Sequence, residues 1–211
     1  MDTGSSTVTF LSSAGDPIVL EPGSQVQSMG DDGQRDSLFL LRGVGVATLS
    51  QKTTFGAAAG WVTAPQGATE KIQVFVEVPA DRASSEALFR ANSGEAWVSY
   101  FQFAAWLPVR HAITLTVDKT SQGLVCYRTH QQNRGNVRIE KRVQGGTIVT
   151  QVPRATSGCS RPEEGDQKTR IENDITSFKT GKILVSAEFG EGAGGDPAEL
   201  GPGTYALVDN A

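Results

Sequence analysis

The stretch that decides the fold runs from Ala96 to Arg128. It reads AWVSYFQFAAWLPVRHAITLTVD over 96–118, KTSQG over 119–123 and LVCYR over 124–128. Aromatic and β-branched side chains dominate it, and such residues favour a pleated, half-buried surface. Two apolar runs joined by a short polar connection that contains glycine predict a β-hairpin. We expect this hairpin to form the core of an all-β domain.

The two tryptophans of this stretch, Trp97 and Trp106, are candidates for that core. Large aromatic side chains bury more area than other residues, so they dominate the packing of an interior. We therefore expect at least one of them to be mostly buried beside the predicted strand over 112–117.

The totals are those of an ordinary globular protein. The chain has 211 residues, of which 38% are hydrophobic and 20% charged, and this length is enough to bury a substantial core. Its 24 glycines indicate many turns and favour short strands over long helices. We expect one domain over 1–211, in which residues 1–36 could form a loosely ordered arm.

Alternating apolar and polar residues predict the other strands. The candidates are 7–11, 17–20, 37–49, 71–78, 137–143, 147–152, 182–189 and 204–209. A short helix is expected over 80–90, because alanine, glutamate and leucine are frequent there, and a long exposed loop over 153–170. Eight to ten strands predict an antiparallel β-sandwich that is jelly-roll-like.

The charge is unevenly distributed. A net charge of −4 and a pI near 5.2 argue against a protein whose main role is to bind nucleic acid. Basic residues nevertheless gather between 110 and 142, and four of them are candidate phosphate contacts: Arg134, Arg138, Lys141 and Arg142. The alternative is a solvated strand face. That alternative fits the absence of interleaved aromatic residues for base stacking.

The two cysteines leave two states open. Cys126 and Cys159 could form one disulfide, or Cys126 could pack as a small apolar side chain, since nothing in the sequence defines the redox compartment. Two cysteines do not make a structural zinc site, which usually has four ligands. We expect no metal and no cofactor.

Catalytic motifs are weak. Asp2-Thr3-Gly4-Ser5-Ser6 matches the active-site loop of pepsin-like aspartic peptidases, whose chemistry needs two carboxylates that share a proton. No second motif of this kind is present, so we interpret the match as a coincidence. His111 and His130 have no metal-ligand spacing, and no serine lies in a nucleophile elbow. We expect no enzymatic activity, and keep a dimeric peptidase or a spatially assembled site as a third hypothesis.

The first residues, 1–6, have neither the basic start nor the apolar run of a secretory signal. No stretch approaches the ~20 apolar residues that a membrane span needs.

Three stretches resemble the jelly-roll coat proteins of small icosahedral RNA viruses. Residues 100–117 resemble the segment that leads into strand C of those coats, and 120–127 the polar turn into strand D. Residues 180–189 are similar to their late strand with the pattern Gly-Lys-apolar-x-Val. Many of those coats carry a basic N-terminal arm, whereas residues 1–34 contain no lysine or arginine.

The resemblance implies a structural coat subunit that self-assembles into a closed shell in a virion, with copies of itself as partners. It leaves RNA as a packaged partner open, and it does not identify a host receptor. The alternative is a secreted or cell-surface β-sandwich that binds a glycan or a protein through its loops.

Overall fold

The computed structural model describes residues 1–31, 36–81, 85–118, 124–143 and 146–160, and the strands at 183–189, 193–194 and 198–200. These residues form strands and turns, and no helix occurs among them. The predicted all-β class is confirmed. The predicted number of eight to ten strands is too low, since the described residues alone form 18.

The strands follow one another at short intervals along the chain. The first nine are β1 (Val8–Leu11), β2 (Pro17–Leu20), β3 (Gln25–Asp31), β4 (Asp36–Leu49), β5 (Thr53–Ala57), β6 (Gly60–Thr63), β7 (Ile72–Val78), β8 (Glu86–Ser93) and β9 (Ala96–Tyr100). The others are β10 (Phe103–Leu107), β11 (Ala112–Asp118), β12 (Leu124–Thr129), β13 (Val137–Val143), β14 (Gly146–Val152), β15 (Ser157–Ser160), β16 (Ile183–Phe189), β17 (Ala193–Gly194) and β18 (Ala198–Leu200).

All of these strands belong to one curled, mixed sheet with two halves that share β4. Half-sheet 1 contains β1, β2, the second half of β4, β7, β8, β11, β12 and β15. Half-sheet 2 contains β3, the first half of β4, β5, β6, β9, β10, β13, β14, β16, β17 and β18. Every pairing is antiparallel except the parallel pair β4–β5.

Gly43 marks the position where β4 passes from one half to the other. Its φ of 95° lies in a region that only glycine adopts readily. A Cβ at this position would lie 2.5 Å from the Ser24 Oγ. Glycine therefore allows both the bend and the close approach of the Ser24 segment.

Successive hairpins alternate between the two halves. The hairpins β7–β8 and β11–β12 lie in half-sheet 1, and β9–β10 and β13–β14 lie in half-sheet 2. Each packs beside the preceding hairpin of its own half, through β8–β11 and β10–β13. From β7 to β14 the strands thus follow sequence order along each half, whereas the Greek keys of a jelly roll bring distant strands together.

The hydrophobic core lies between the two halves. Its largest fully buried side chains are Phe55, Phe89, Leu20, Leu40, Leu49, Leu107, Ile113 and Leu115. Phe55 extends from half-sheet 2 to Gly45 on half-sheet 1, where an added Cβ would lie 2.5 Å from the phenyl ring. The rings of Phe103 and Tyr127 meet across the same interior at 6.0 Å between centroids.

The quoted stretch folds as two hairpins. The predicted hairpin is confirmed as β11–β12, with Asp118 opposite Leu124. The residues before it form a separate hairpin, β9–β10, which turns at Phe101 and Gln102 and lies in the other half-sheet. Two short strands separated by a tight turn have the same composition as one longer apolar strand. Composition therefore did not distinguish the β9–β10 hairpin from a single strand.

Two other predictions are corrected. The helix over 80–90 is wrong, because its second half begins β8, which pairs with β7 and β11. Pairing on both sides overrides the weak helix propensity of those residues. Within the predicted loop over 153–170, residues 157–160 form β15 against β12. Residues 161–170 and the strand predicted over 204–209 lie outside the described residues.

The N-terminal residues contribute strands to both halves. The strands β1 and β2 pair with each other, and β2 and β3 pair with β4. The Thr3 hydroxyl is buried and donates a hydrogen bond to the Glu21 carbonyl at 3.0 Å.

Candidate functional site

Strand β13 carries most of the predicted phosphate-binding residues. Its side chains alternate, so Arg138 and Glu140 lie on the outer face of half-sheet 2, and Val137, Ile139 and Lys141 face the interior. Arg138 Nε donates to Glu140 Oε1 at 2.6 Å, and each side chain is partly exposed. The carboxylate compensates the guanidinium charge on this face.

The four candidate residues do not share one surface. Lys141 is only 4% exposed and lies opposite Phe103 on β10 and Ile148 on β14. Arg142 is exposed at the end of β13, and Arg134 is exposed in the loop before that strand. Arg138 and Arg142 therefore share the outer face without Lys141. Phosphate binding by the set remains a prediction.

Aromatic side chains lie on the same outer face. Across β6, β9, β10, β13 and β14, one row of paired residues consists of Thr63, Trp97, Trp106, Arg138 and Gln151. All five are half-buried. The indole rings of Trp97 and Trp106 lie 4.8 Å apart with an interplanar angle of 81°. Strand register thus brings aromatic residues to Arg138, although the basic segment itself contains none.

A second row, two residues along, has small side chains at its centre. It consists of Trp61, Ser99, Ala104 and Glu140 on β6, β9, β10 and β13. The Trp61 ring lies over Gly56, where an added Cβ would be 2.4 Å away, and it contacts Phe39 at 5.5 Å between centroids. We call the part of these two rows that lies between β6 and β13 the aromatic face. Its residues are Trp61, Trp97, Ser99, Ala104, Trp106, Arg138 and Glu140.

The expected burial of a tryptophan beside the 112–117 strand is wrong. Trp97 and Trp106 are both half-buried on the outer face of half-sheet 2, whereas β11 lies in half-sheet 1. The sequence carried a usable signal. Ser99 shares the side of β9 with Trp97, while Ala96 and Val98 share the other, and a period of two residues places serine and tryptophan outside together.

The two histidines anchor the loop between β12 and β13. His111 Nε2 accepts a hydrogen bond from the Gly135 N–H at 3.0 Å, and Nδ1 lies 3.1 Å from the Val109 carbonyl. The Asn133 amide makes two hydrogen bonds to the backbone of Ala112. An accepting Nε2 and a carbonyl partner at Nδ1 indicate the neutral Nδ1–H tautomer. These residues position a loop.

His130 belongs to the same junction. Its Nε2 lies 2.9 Å from the Thr114 hydroxyl. Burial and the nearby Arg128 guanidinium both lower the pKa of His130, so its ring is neutral at pH 7. A neutral, hydrogen-bonded imidazole is suited to a structural role here.

Asp16 is a buried carboxylate with three partners. It is fully buried and accepts hydrogen bonds from the Ser50 N–H at 3.0 Å and the Thr53 hydroxyl at 2.6 Å, and its other oxygen pairs with Lys71 at 2.7 Å. Burial alone would raise its pKa, but the pair with Lys71 and the hydrogen bonds from Ser50 and Thr53 lower it to about 2. The carboxylate ties the β1–β2 turn to β5.

Asp16 makes stability dependent on pH under acidic conditions. Its pKa is depressed from 3.8 to about 2 on folding, so the stabilisation is complete above pH 4 and is lost as the pH falls towards 2. The difference corresponds to about 2 kcal/mol. We expect Asp16→Asn to remove this part of the pH dependence of the free energy of unfolding, measured by urea titration. Asp81→Asn, at an exposed position, is the control, and equal slopes in both variants would contradict the assignment.

Asp2, in the peptidase-like motif, has no carboxyl partner among the described residues. Its Oδ1 accepts from the Gly4 N–H at 2.9 Å and its Oδ2 pairs with Arg42 at 3.1 Å. These two interactions lower the pKa of Asp2. The arrangement is a capped N-terminal turn with an exposed ion pair, unlike two carboxyl groups that share a proton.

Cys126 and Cys159 form a disulfide between β12 and β15. Of the two states that the sequence left open, the structure has the bridge, and Cys126 lies half-buried on the outer face of half-sheet 1, outside the core. Among the described residues no three His, Cys, Asp or Glu side chains are placed to hold a metal ion.

Comparison with known proteins gives no match to a family model, a curated protein or a solved structure. In the described part of the chain, no helix is long and apolar enough to cross a membrane.

Proposed function

We propose that this chain is a structural subunit, of the viral coat type, that associates with copies of itself into a closed shell. The observation that carries the proposal is Phe101, which is 84% exposed in the β9–β10 turn with φ of 49°. A large aromatic residue in a left-handed turn is both strained and poorly hydrated. Both costs are offset if the side chain inserts into a neighbouring subunit.

Other exposed apolar side chains support the same proposal. Leu11, Met29 and Val109 are 71%, 54% and 46% exposed, and each lies in or beside a strand end or turn. Within the described residues, the edge strand β1 pairs on one side only, with β2. Symmetric assembly would cover such edges and apolar side chains. The placement in a virion is part of this proposal and rests on the resemblance of 100–117, 120–127 and 180–189.

RNA inside the shell would contact the exposed cations of the candidate set. Arg134 and Arg142 are exposed, but Glu140 compensates Arg138 and Lys141 lies inside. Two of the four candidate cations are therefore exposed and without a paired carboxylate among the described residues, and we expect packaged nucleic acid, where present, to be released readily by salt.

Particle size tests the proposal. We expect the purified protein to form megadalton particles by light scattering, and Phe101→Asp to release folded 22.4 kDa monomers with the far-UV circular dichroism of the wild type, because the ring is outside the core. Gln131→Asp, in an exposed loop, should still assemble. The ratio of absorbance at 260 and 280 nm reports packaged nucleic acid. A wild-type protein that remains monomeric at high concentration would exclude the shell.

The second candidate is the secreted or surface-exposed binding protein, and the disulfide favours it. Disulfides persist in oxidising compartments and are rare in the cytosol. The Cys126–Cys159 bridge therefore fits a protein that functions outside the cell, including one displayed on a particle.

A further inference from the structure

We infer that the aromatic face binds a neutral oligosaccharide, in the shallow floor formed by Ser99 and Ala104. This site is independent of shell assembly, and it would supply the second candidate function with a location on a sheet face, where the sequence predicted binding through loops.

The register of four strands builds the floor. Ser99 and Ala104 lie directly opposite each other on β9 and β10. On one side the floor meets β6, where Trp61 is paired with Ser99 and its ring lies over Gly56 on β5. On the other side it meets Glu140, paired with Ala104. Strands lie about 4.8 Å apart, so the span from β6 to β13 is roughly 14 Å. Within this span, Ser99 and Ala104 contribute the two small side chains of the row.

The Trp97–Trp106 pair forms the long wall of the floor. Both residues lie two positions along the strands from Ser99 and Ala104, on the same face. With an interplanar angle of 81°, the two rings cannot both lie flat on the sheet. At least one ring plane is therefore inclined to the sheet, and the face of that ring is directed partly along the sheet surface.

The chemistry of these walls matches a sugar. The C–H faces of a pyranose ring are apolar and pack on the negative face of an indole ring. Its hydroxyl groups both donate and accept, so they need both kinds of partner in one place. The Glu140 carboxylate accepts, the Arg138 guanidinium donates, and the Ser99 hydroxyl does either.

The charge of the face distinguishes a sugar from a polyanion. Arg138 and Glu140 compensate each other at 2.6 Å, and the residues of the floor and its aromatic walls are uncharged. Arg142, two positions beyond Glu140 on the same outer face, adds one exposed cation. Single-stranded nucleic acid also stacks on aromatic side chains, but its affinity depends on uncompensated cations along the backbone. A neutral ligand requires no such cations, and it exchanges its hydrogen bonds with water for bonds to the ion pair.

Tryptophan fluorescence tests the inference directly, because all three tryptophans of the chain, Trp61, Trp97 and Trp106, belong to this face. The full chain is titrated with maltohexaose, cellohexaose, chitohexaose and mannohexaose, and separately with a short oligouridylate, at low and high salt. We expect a saturable change with at least one hexasaccharide that is the same at both salt concentrations. No change with any of the four overturns the inference, as does binding of oligouridylate alone with a steep salt dependence.

Variants locate the site. Trp97→Ala should weaken binding about tenfold, while Trp97→Phe keeps a ring and retains most of the affinity. Ala104→Gln fills the floor without removing a wall and should abolish binding. This variant tests the site even if Trp97→Ala fails to fold. Gln131→Ser, at an exposed loop position outside the face, is the control, since it should leave assembly unchanged. A loss with Gln131→Ser equal to that with Ala104→Gln overturns the location.

The sugar titration and the particle sizing test the two proposals independently of each other. A monomer that binds a hexasaccharide excludes the shell and keeps this inference. A megadalton particle whose fluorescence no hexasaccharide changes keeps the shell and overturns the site.

Discussion

Phe55→Ala is expected to lower the free energy of unfolding by about 3–5 kcal/mol, the range for truncation of a fully buried phenylalanine. Phe55 has no exposed surface, and its ring connects the two half-sheets at Gly45. Truncation leaves a cavity at the place where the halves are joined, so relaxation on one side cannot fill it. For a chain of this size the loss corresponds to a fall in melting temperature of roughly 6–20 °C.

Two further variants test the reason for that loss. In the monomer, Phe101→Ala removes an equally large ring that is 84% exposed, and it should change stability by less than about 0.5 kcal/mol. Gly45→Ala places a methyl group against the Phe55 ring and should cost about 1–3 kcal/mol on its own. In the Phe55→Leu background the cost of Gly45→Ala should fall, because the shorter side chain makes room. Additive losses in the double variant would show that the two positions do not meet.

The strands that could be predicted from the sequence are those in which one pattern dominates. In β7, Ile72, Val74, Val76 and Val78 alternate with polar or half-buried residues, and all four are buried. In β13 the alternation correctly placed Arg138 and Arg142 outside. Lys141 was grouped with them by its charge, although its position in the alternation places it on the inner face with Val137 and Ile139.

The aromatic face could not be predicted because register is a long-range property. Trp61, Trp97 and Glu140 are separated by tens of residues, and only the pairing of β6, β9, β10 and β13 brings them together. The small residues of the floor carry no signal of their own, since serine and alanine occur on many strands. The position of Cys126 opposite Cys159 also depends on long-range register. The sequence did not predict that register, because residues 157–160 were expected to lie in a loop.

Loss of the Cys126–Cys159 disulfide is expected to destabilise the protein by about 3–4 kcal/mol, the value for a closed loop of this length. The two residues are separated by 33 positions, so the bridge restricts a long segment of the unfolded chain. Among the described residues, β15 pairs only with β12, and the bridge lies within that pair. Beside it, Gly158 leaves the space that the Tyr127 hydroxyl occupies, since an added Cβ there would lie 2.5 Å from that oxygen.

The measurement is urea unfolding of the wild type and of Cys126→Ala/Cys159→Ala, each with and without reductant. Reductant should lower the stability of the wild type to that of the double variant and leave the double variant unchanged. Hydrogen exchange should show β15 opening first, since the neighbouring core residues, Val125 and Tyr127, remain held by β11. An unfolding curve of the wild type that reductant does not move would mean that the bridge contributes nothing, and it would remove the argument for an oxidising compartment along with it.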